Sequence, residues 1–152
     1  MTNNYKAPFP QADDFNKIIS IVNMENVINF KDKDKIRHVI GDLTDRQIQY
    51  YLSACMYLGV IDEFKEITEL GRKIRTMTIV DQEIELAKCI ISNDVFGYVF
   101  FLQKKLNIKL TRDEIIDIMK QYVSFESEEV YKRRAQTIIK WLEWIKITFE
   151  NN

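Results

Sequence analysis

Residues that could perform acid–base or nucleophilic chemistry are sparse in this chain. His38 is the sole histidine, so it cannot support a catalytic triad, a histidine-rich metal site or a relay through paired imidazoles. Cys55 and Cys89 lie inside helical apolar patterns, away from the short spacings of metal and redox motifs, and we expect two buried, reduced thiols. Gly59 and Gly71 lack the companion glycines of a phosphate-binding loop. We therefore predict a protein that is not an enzyme and uses no metal or cofactor.

Basic and amide side chains offer a different chemistry, because they donate hydrogen bonds to phosphates and to base edges. They form three groups, each on or beside a predicted helix. The candidate DNA-binding residues are Arg46, Gln49, Tyr50, Arg72, Lys73, Lys132, Arg133, Gln136 and Lys140. The alternative for each group is an ordinary solvated surface, and Glu128, Glu129 and Glu143 partly neutralise the last one. DNA contact and plain solvation both stay open for all three groups.

Composition limits the partners. The net charge of -1 over 152 residues gives no general attraction to nucleic acid, so DNA binding would depend on the local groups. Hydrophobic residues make up 46% of the chain, with only four glycines and two prolines, which indicates ordered helical structure. No apolar stretch approaches the roughly 20 residues that cross a bilayer, and no basic start with a hydrophobic run opens the sequence. We therefore predict a cytoplasmic protein without a membrane partner.

Helical spacing of apolar residues predicts the elements that carry the basic groups. An extended arm over residues 1–12 precedes a first helix, capped by Asp13 or Asp14. A short helix ending at Gly41 and a longer helix capped by Thr44 follow, joined by a tight turn. This is a helix-turn-helix arrangement, and the outward face of its second helix carries the first basic group.

After Gly59 the pattern changes from helical spacing to short alternation, which predicts a two-stranded hairpin before another helix begins at Thr68. Two amphipathic helices follow over residues 81–92 and 95–106, and the apolar positions of the first, including Ile84 and Ile91, are expected in the core. A further helix begins at Thr111 with a capping box, and a long final helix, from about Ser127 to Ile145, carries the third basic group. Because this succession repeats that of the first half, we predict a degenerate structural repeat.

Two strings of the sequence resemble winged-helix proteins. Leu58-Gly59-Val60-Ile61, followed by Ile67-Thr68-Glu69-Leu70-Gly71-Arg72, is similar to the segment that closes the recognition helix and leaves the wing of such domains. The string from Glu129 to Ile145 is similar to the ending of winged-helix modules that accompany type II restriction endonucleases and related prokaryotic DNA-processing proteins. Together the similarity spans nearly everything after residue 12.

The resemblance implies a fold that is mainly α with a small β-hairpin wing, a tandem winged helix-turn-helix. Its expected organisation is an extended arm (1–12), a winged-helix unit (13–80) and a winged-helix-like unit (81–152). A nuclease of that restriction-modification group needs two acidic metal ligands and a lysine. The nearest match is Asp62-Glu63-Phe64-Lys65, which lacks a separate acidic strand residue before it. We interpret this string as a surface hairpin.

Two functions are compatible with this sequence. The first is a non-catalytic module that binds double-stranded DNA, as the recognition part or accessory of a restriction-type nuclease, with a nuclease or a second copy as partner. The alternative is a protein–protein interaction or dimerisation module on the same winged-helix scaffold, presenting Tyr50, Tyr57 and one tryptophan. The near-zero net charge favours the second function.

Overall fold

The computed structural model describes residues 7–150, and this part of the chain forms eight helices. They are α1 (Phe15–Val22), α2 (Lys33–Ile40), α3 (Asp45–Leu58), α4 (Glu69–Arg75), α5 (Ile79–Ile91), α6 (Asp94–Leu106), α7 (Arg112–Tyr122) and α8 (Glu128–Glu150). The chain divides into two compact units, Met1–Gln82 (unit 1) and Glu83–Asn152 (unit 2). The division falls inside α5, two residues after the boundary at residue 80 that the sequence predicted. Within the described range, no helix combines the length and apolar character needed to span a membrane.

The predicted β-hairpin wing is wrong, because residues 7–150 contain no β-strand. After Gly59 the chain reverses within a few residues, and the Asp62 carboxylate accepts backbone N–H groups two and four positions further on, at 2.8 and 3.0 Å. Lys65 completes the reversal at a φ of 63°. Only isolated antiparallel bridges are formed, between Asn29 and Glu66 and between Ile61 and Ile67.

This turn also explains why the predicted tandem winged-helix fold is wrong. The alternating residues are used to close a side chain–backbone turn, so too few remain to pair as strands. Both of these bridges belong to unit 1, and the described part of unit 2 is built from helices and their connections. The fold is therefore all-helical in both units, and the winged-helix prediction is corrected accordingly.

Unit 1 is assembled around α1, which contacts α2, α3 and α4. The first turn of α5 is fixed to this group by Gln82, a buried polar side chain. Its amide exchanges hydrogen bonds of 2.8 and 2.9 Å with the side chain of Asn23 and donates to the Ile74 carbonyl at 2.9 Å. Burying an amide costs little only when its donors and acceptors are paired, as they are here.

The predicted extended arm is described only from residue 7, and its first six residues lie outside the described range. Residues 7–12 form no helix or strand. Phe9, Pro10 and Ala12 are nevertheless buried, and the Phe9 ring lies 5.7 Å from the ring of Tyr57 on α3. This part of the arm is therefore packed against unit 1.

In unit 2, α8 packs against α6 and α7. Trp141 of α8 is fully buried and stacks on Phe96 of α6 with ring centroids 5.1 Å apart. Trp141 is therefore part of the core of unit 2. Gly97 lies at the start of α6, where a Cβ atom would stand 2.3 Å from the Ile91 carbonyl oxygen. The absence of a side chain allows α6 to begin directly against the end of α5.

Most predicted helix boundaries are confirmed by the caps themselves. Asp14, Thr44, Thr68 and Thr111 each accept a backbone N–H in the first turn of the following helix. Thr44 and Thr111 form complete capping boxes. Gly41 ends α2, as predicted. The final helix is longer than expected, because α8 continues to Glu150.

Candidate functional site

The first predicted DNA-binding group lies on one face of α3, with its polar atoms engaged locally. The Arg46 guanidinium donates to the Tyr50 hydroxyl at 2.6 Å and stands over the Tyr50 ring at 5.5 Å from its centroid. Gln49 donates to the Ser53 hydroxyl at 3.2 Å. Arg46 is exposed, whereas Gln49 and Tyr50 are half-buried. The structure does bring these three residues together, since they recur at helical spacing.

The second group, on α4, is accessible, whereas the neighbouring Arg75 is not. Arg72 and Lys73 are exposed on α4. Arg75, two residues further on, is half-buried and donates from Nε to the Val22 carbonyl at 2.7 Å, with its guanidinium 5.9 Å from the centre of the Phe30 ring. Burial and the neighbouring Arg72 charge lower the pKa of Arg75. Arg75 therefore fixes α4 to α1, and only Arg72 and Lys73 stay accessible.

The third group lies along α8, where nearby carboxylates partly neutralise it. The Lys132 ammonium stands 3.6 Å from Glu129, and that of Lys140 stands 4.0 Å from Glu143. Arg133 is exposed with Nη1 3.4 Å from the Thr137 hydroxyl, and Gln136 is half-buried. These four predicted residues share a face of α8, but its positive charge is offset at both ends.

The aromatic residues proposed for the interaction surface are less exposed than expected. Tyr50 and Tyr57 are half-buried, and Phe9 covers part of the Tyr57 ring. Trp144 is half-buried and meets the Phe149 ring edge-on at 6.3 Å between centroids. Larger apolar exposure lies elsewhere in unit 2, at Tyr98, Phe101, Leu106, Ile108, Tyr122, Ile147 and Phe149.

A cavity of about 510 Å³ lies within unit 2, between α5, α6, the connection from α6 to α7, and α8. We call it the groove. Its apolar lining includes Ala87, Ile91, Phe100, Leu110, Leu142 and Ile145. Four of these six side chains are buried, and Ile91 and Phe100 are half-buried. The apolar side chains Ile84, Ile108 and Phe149 also line the groove and are 37%, 50% and 40% exposed. The groove is therefore apolar inside, and three apolar side chains also lie at its exposed edge.

Half of the polar residues that line the groove are lysines. The polar residues are Lys88, Lys104, Lys109, Lys146, Glu143, Glu150, Gln103 and Asn107. Two ion pairs connect the α6 side to α8, Lys104 to Glu150 at 2.7 Å and Lys109 to Glu143 at 3.2 Å. The hydrogen bond from Lys104 lowers the pKa of Glu150. The groove can thus accept an apolar group and place an anion beside several ammonium groups.

Sequence reasoning missed the groove. It assigned Ile84 and Ile91 to a buried core stripe, and it ended the last helix at Ile145, before Lys146 and Phe149 could be recognised as part of a site. The available signal was the apolar pattern of α8 continuing past Ile145, with Phe149 one turn further on. Such a continuation indicates an apolar face, although it does not show which elements face it.

The two cysteines are free thiols, and the acidic turn has a structural role. Cys55 is buried and Cys89 is half-buried, both as free thiols. Burial raises the pKa of the Cys55 thiol to about 12. Asp62 is used in the backbone turn of unit 1, and the described residues hold no group of three or more histidine, cysteine or acidic side chains positioned for a metal ion.

A family model described as "Domain of unknown function (DUF7226)" matches residues 17–150. The chain belongs to this family. The DUF7226 match spans the helices of both units and all residues lining the groove, and nothing in it links the chain to winged-helix modules or restriction enzymes. No curated protein and no solved structure matches the chain.

Proposed function

We propose that this protein is a non-catalytic binding module whose unit 2 receives the apolar part of a partner molecule in the groove. The observation that carries the proposal is the cavity of about 510 Å³ with its apolar lining. Pockets of about 300–1,000 Å³, lined by apolar side chains with a few polar groups, are typical of sites for small molecules. The groove has this size and this composition.

Exposed apolar side chains at its edge support the same function. Ile84, Ile108 and Phe149 are each at least 37% exposed and lie at one concave site. Water in contact with such surface is released when a partner covers it, and the gain is roughly 25 cal/mol per Å² of apolar area. Scattered apolar residues are ordinary on protein surfaces, whereas apolar residues gathered at a cavity favour binding.

A neutral, environment-sensitive dye such as Nile red tests the proposal. We expect its fluorescence to rise on titration with the protein and the rise to be lost in Ile84→Glu, because a carboxylate in the groove is costly to desolvate. The expected loss of affinity is about tenfold or more. Ile147→Glu is the matched control, since Ile147 is 62% exposed on α8 and does not line the groove. Equal dye binding by the two variants would reject the groove as the binding site.

Duplex DNA contact by unit 1 is a second candidate function. It is favoured by Arg72 and Lys73, which are exposed and have no ion pair with any residue in the range 7–150. Arg46 adds an exposed guanidinium on α3. Such side chains can exchange counterions for phosphates, which makes binding dependent on salt.

Mobility shifts of a random duplex at low and moderate salt test this candidate. We expect binding by the wild type, and a salt dependence with a slope smaller by about 2 in the double variant Arg72→Gln, Lys73→Gln, since each phosphate contact contributes about 0.9. The control carries Lys31→Gln and Lys35→Gln, which remove the same charge from exposed positions of unit 1 outside the three candidate groups. No shift at low salt, or equal slopes in the two double variants, would exclude Arg72 and Lys73 as a DNA contact.

A further inference from the structure

The charged residues that line the groove indicate the chemical class of its ligand. We infer that the groove binds a single-chain amphipathic anion, of the class of medium- and long-chain fatty carboxylates. This inference rests on the proposed function of the groove and adds the charge and shape of the ligand. It depends on three features of unit 2: the volume of the cavity, the exposed position of its lysines around an apolar interior, and the partners of those lysines.

The inner part of the lining is apolar, whereas its exposed edge combines lysines with the apolar side chains Ile84, Ile108 and Phe149. Leu110, Leu142 and Ile145 are 5–7% exposed and form the inner surface. The lysines of the lining are exposed. A ligand that follows this division has an apolar chain inside and a charged group near the solvent. An entirely apolar ligand would leave the charged edge without a partner.

Positive charge prevails at the exposed edge. Four lysines line the groove against two glutamates, Glu143 and Glu150. Lys146 has no ion pair within residues 7–150, and Lys88 pairs with Glu85, which lies outside the lining, at 3.5 Å. An anionic head group is therefore favoured over a neutral or cationic one, because lysines outnumber glutamates in the lining and a carboxylate forms strong charge-assisted hydrogen bonds with an ammonium group.

The two ion pairs across the groove can exchange partners at low cost. In both, the side chains are well exposed: 57% and 42% for Lys104 and Glu150, and 70% and 38% for Lys109 and Glu143. Exposed ion pairs contribute little to stability, because water solvates both ions almost as well. A carboxylate arriving with its chain in the groove can replace either glutamate as the lysine's partner.

The cavity volume favours a single chain over a helical segment of another protein. An α-helix with its side chains is about 10–12 Å across, so two turns of a helix would exceed the volume of about 510 Å³. A flexible alkyl chain can follow a cavity lined by branched and aromatic side chains. Each added methylene should raise the affinity roughly fourfold while it still enters the groove.

Isothermal titration calorimetry of the full chain with octanoate, dodecanoate and dodecan-1-ol, below their aggregation concentrations, tests the inference. We expect dodecanoate to bind more tightly than octanoate, and more tightly than dodecan-1-ol by about tenfold at low salt. Equal affinity for dodecanoate and dodecan-1-ol would overturn the anionic head group and leave the groove function intact. Equal affinity for octanoate and dodecanoate would overturn the single-chain ligand. Binding of none of the three would overturn the ligand class, and the Nile red result would then decide the groove function separately.

Two sets of charge changes locate the head group. The groove variant carries Lys88→Gln, Lys104→Gln, Lys109→Gln and Lys146→Gln. The control carries Lys105→Gln, Lys120→Gln, Lys132→Gln and Lys140→Gln, which remove the same charge from unit 2 outside the groove. We expect only the groove variant to lose the preference for dodecanoate over dodecan-1-ol, with dodecan-1-ol binding unchanged in both. An equal loss in both variants would show a general charge effect and overturn the assignment of the lysines.

Discussion

Replacing Gly97 by alanine tests how closely α6 must approach the end of α5. Gly97 is buried, and an added Cβ would lie 2.3 Å from the Ile91 carbonyl oxygen and 3.4 Å from its carbonyl carbon. The nearest atom belongs to the backbone, so no side-chain rotation can relieve the overlap. The two helices would have to separate, which also displaces Ile91 from its position in the groove.

The expected cost combines two opposing effects. Overpacking a buried site costs about 1–3 kcal/mol, occasionally more, and an overlap with a carbonyl oxygen belongs at the upper end. In the opposite direction, alanine in a helix stabilises the folded protein by about 1 kcal/mol relative to glycine. The net expectation for Gly97→Ala is a loss of about 2 kcal/mol in the free energy of unfolding. For a domain the size of unit 2, this lowers Tm by roughly 8–16 °C.

Urea unfolding followed by tryptophan fluorescence measures this loss in unit 2 specifically, because both tryptophans, Trp141 and Trp144, belong to that unit. Lys105→Ala, at an exposed position of the same helix as Gly97 in unit 2, is the control, and it should change the free energy of unfolding by no more than about 0.5 kcal/mol. A Gly97→Ala protein as stable as the wild type, or more stable, would refute the close approach of α6 to Ile91.

Three further predictions concern the core, a helix cap and the thiols. Trp141→Ala should lower the free energy of unfolding by about 3–5 kcal/mol in the same urea experiment, because a fully buried ring leaves a large cavity; a loss below about 1 kcal/mol would contradict its burial. Thr44→Ala should lower the free energy of unfolding by about 1 kcal/mol, measured by circular dichroism melts, since the capping box of α3 is lost. Thr44→Ser should retain most of this stability. Burial raises the pKa of Cys55 to about 12. A thiol reagent at about pH 8 should therefore modify the half-buried Cys89 first, as measured by mass spectrometry. Equal modification rates of the two cysteines in the folded protein would contradict the burial of Cys55.

The limits of local prediction are clearest between Gly59 and Thr68. Alternating apolar and polar residues predicted two strands there, because alternation is the pattern of a half-buried strand. The same residues form a turn closed by the carboxylate of Asp62, with single bridges in place of strands. A short alternating segment is compatible with both outcomes, and the hydrogen bonds of Asp62 select the turn.

The candidate site was predictable only in part. The exposure of Arg46, Arg72 and Lys73 is confirmed, because charged residues opposite an apolar stripe face water. The ion pair between Lys109 and Glu143 joins residues 34 positions apart, and no local pattern specifies such a partner. The groove itself required knowledge of which helix faces lie opposite one another.

Sequence by itself determined where most helices begin. Caps such as Thr44 and Thr111 act on backbone groups within three residues, and apolar spacing acts within a few turns, so both effects are contained in a short stretch of chain. Tertiary structure decided which apolar surface is buried and which stays open as the groove. That outcome depends on the packing of α5, α6 and α8, in which Ile84 stays partly exposed while Leu86 is completely covered. The two residues have similar side chains and lie on one helix, so only the positions of the neighbouring helices distinguish them.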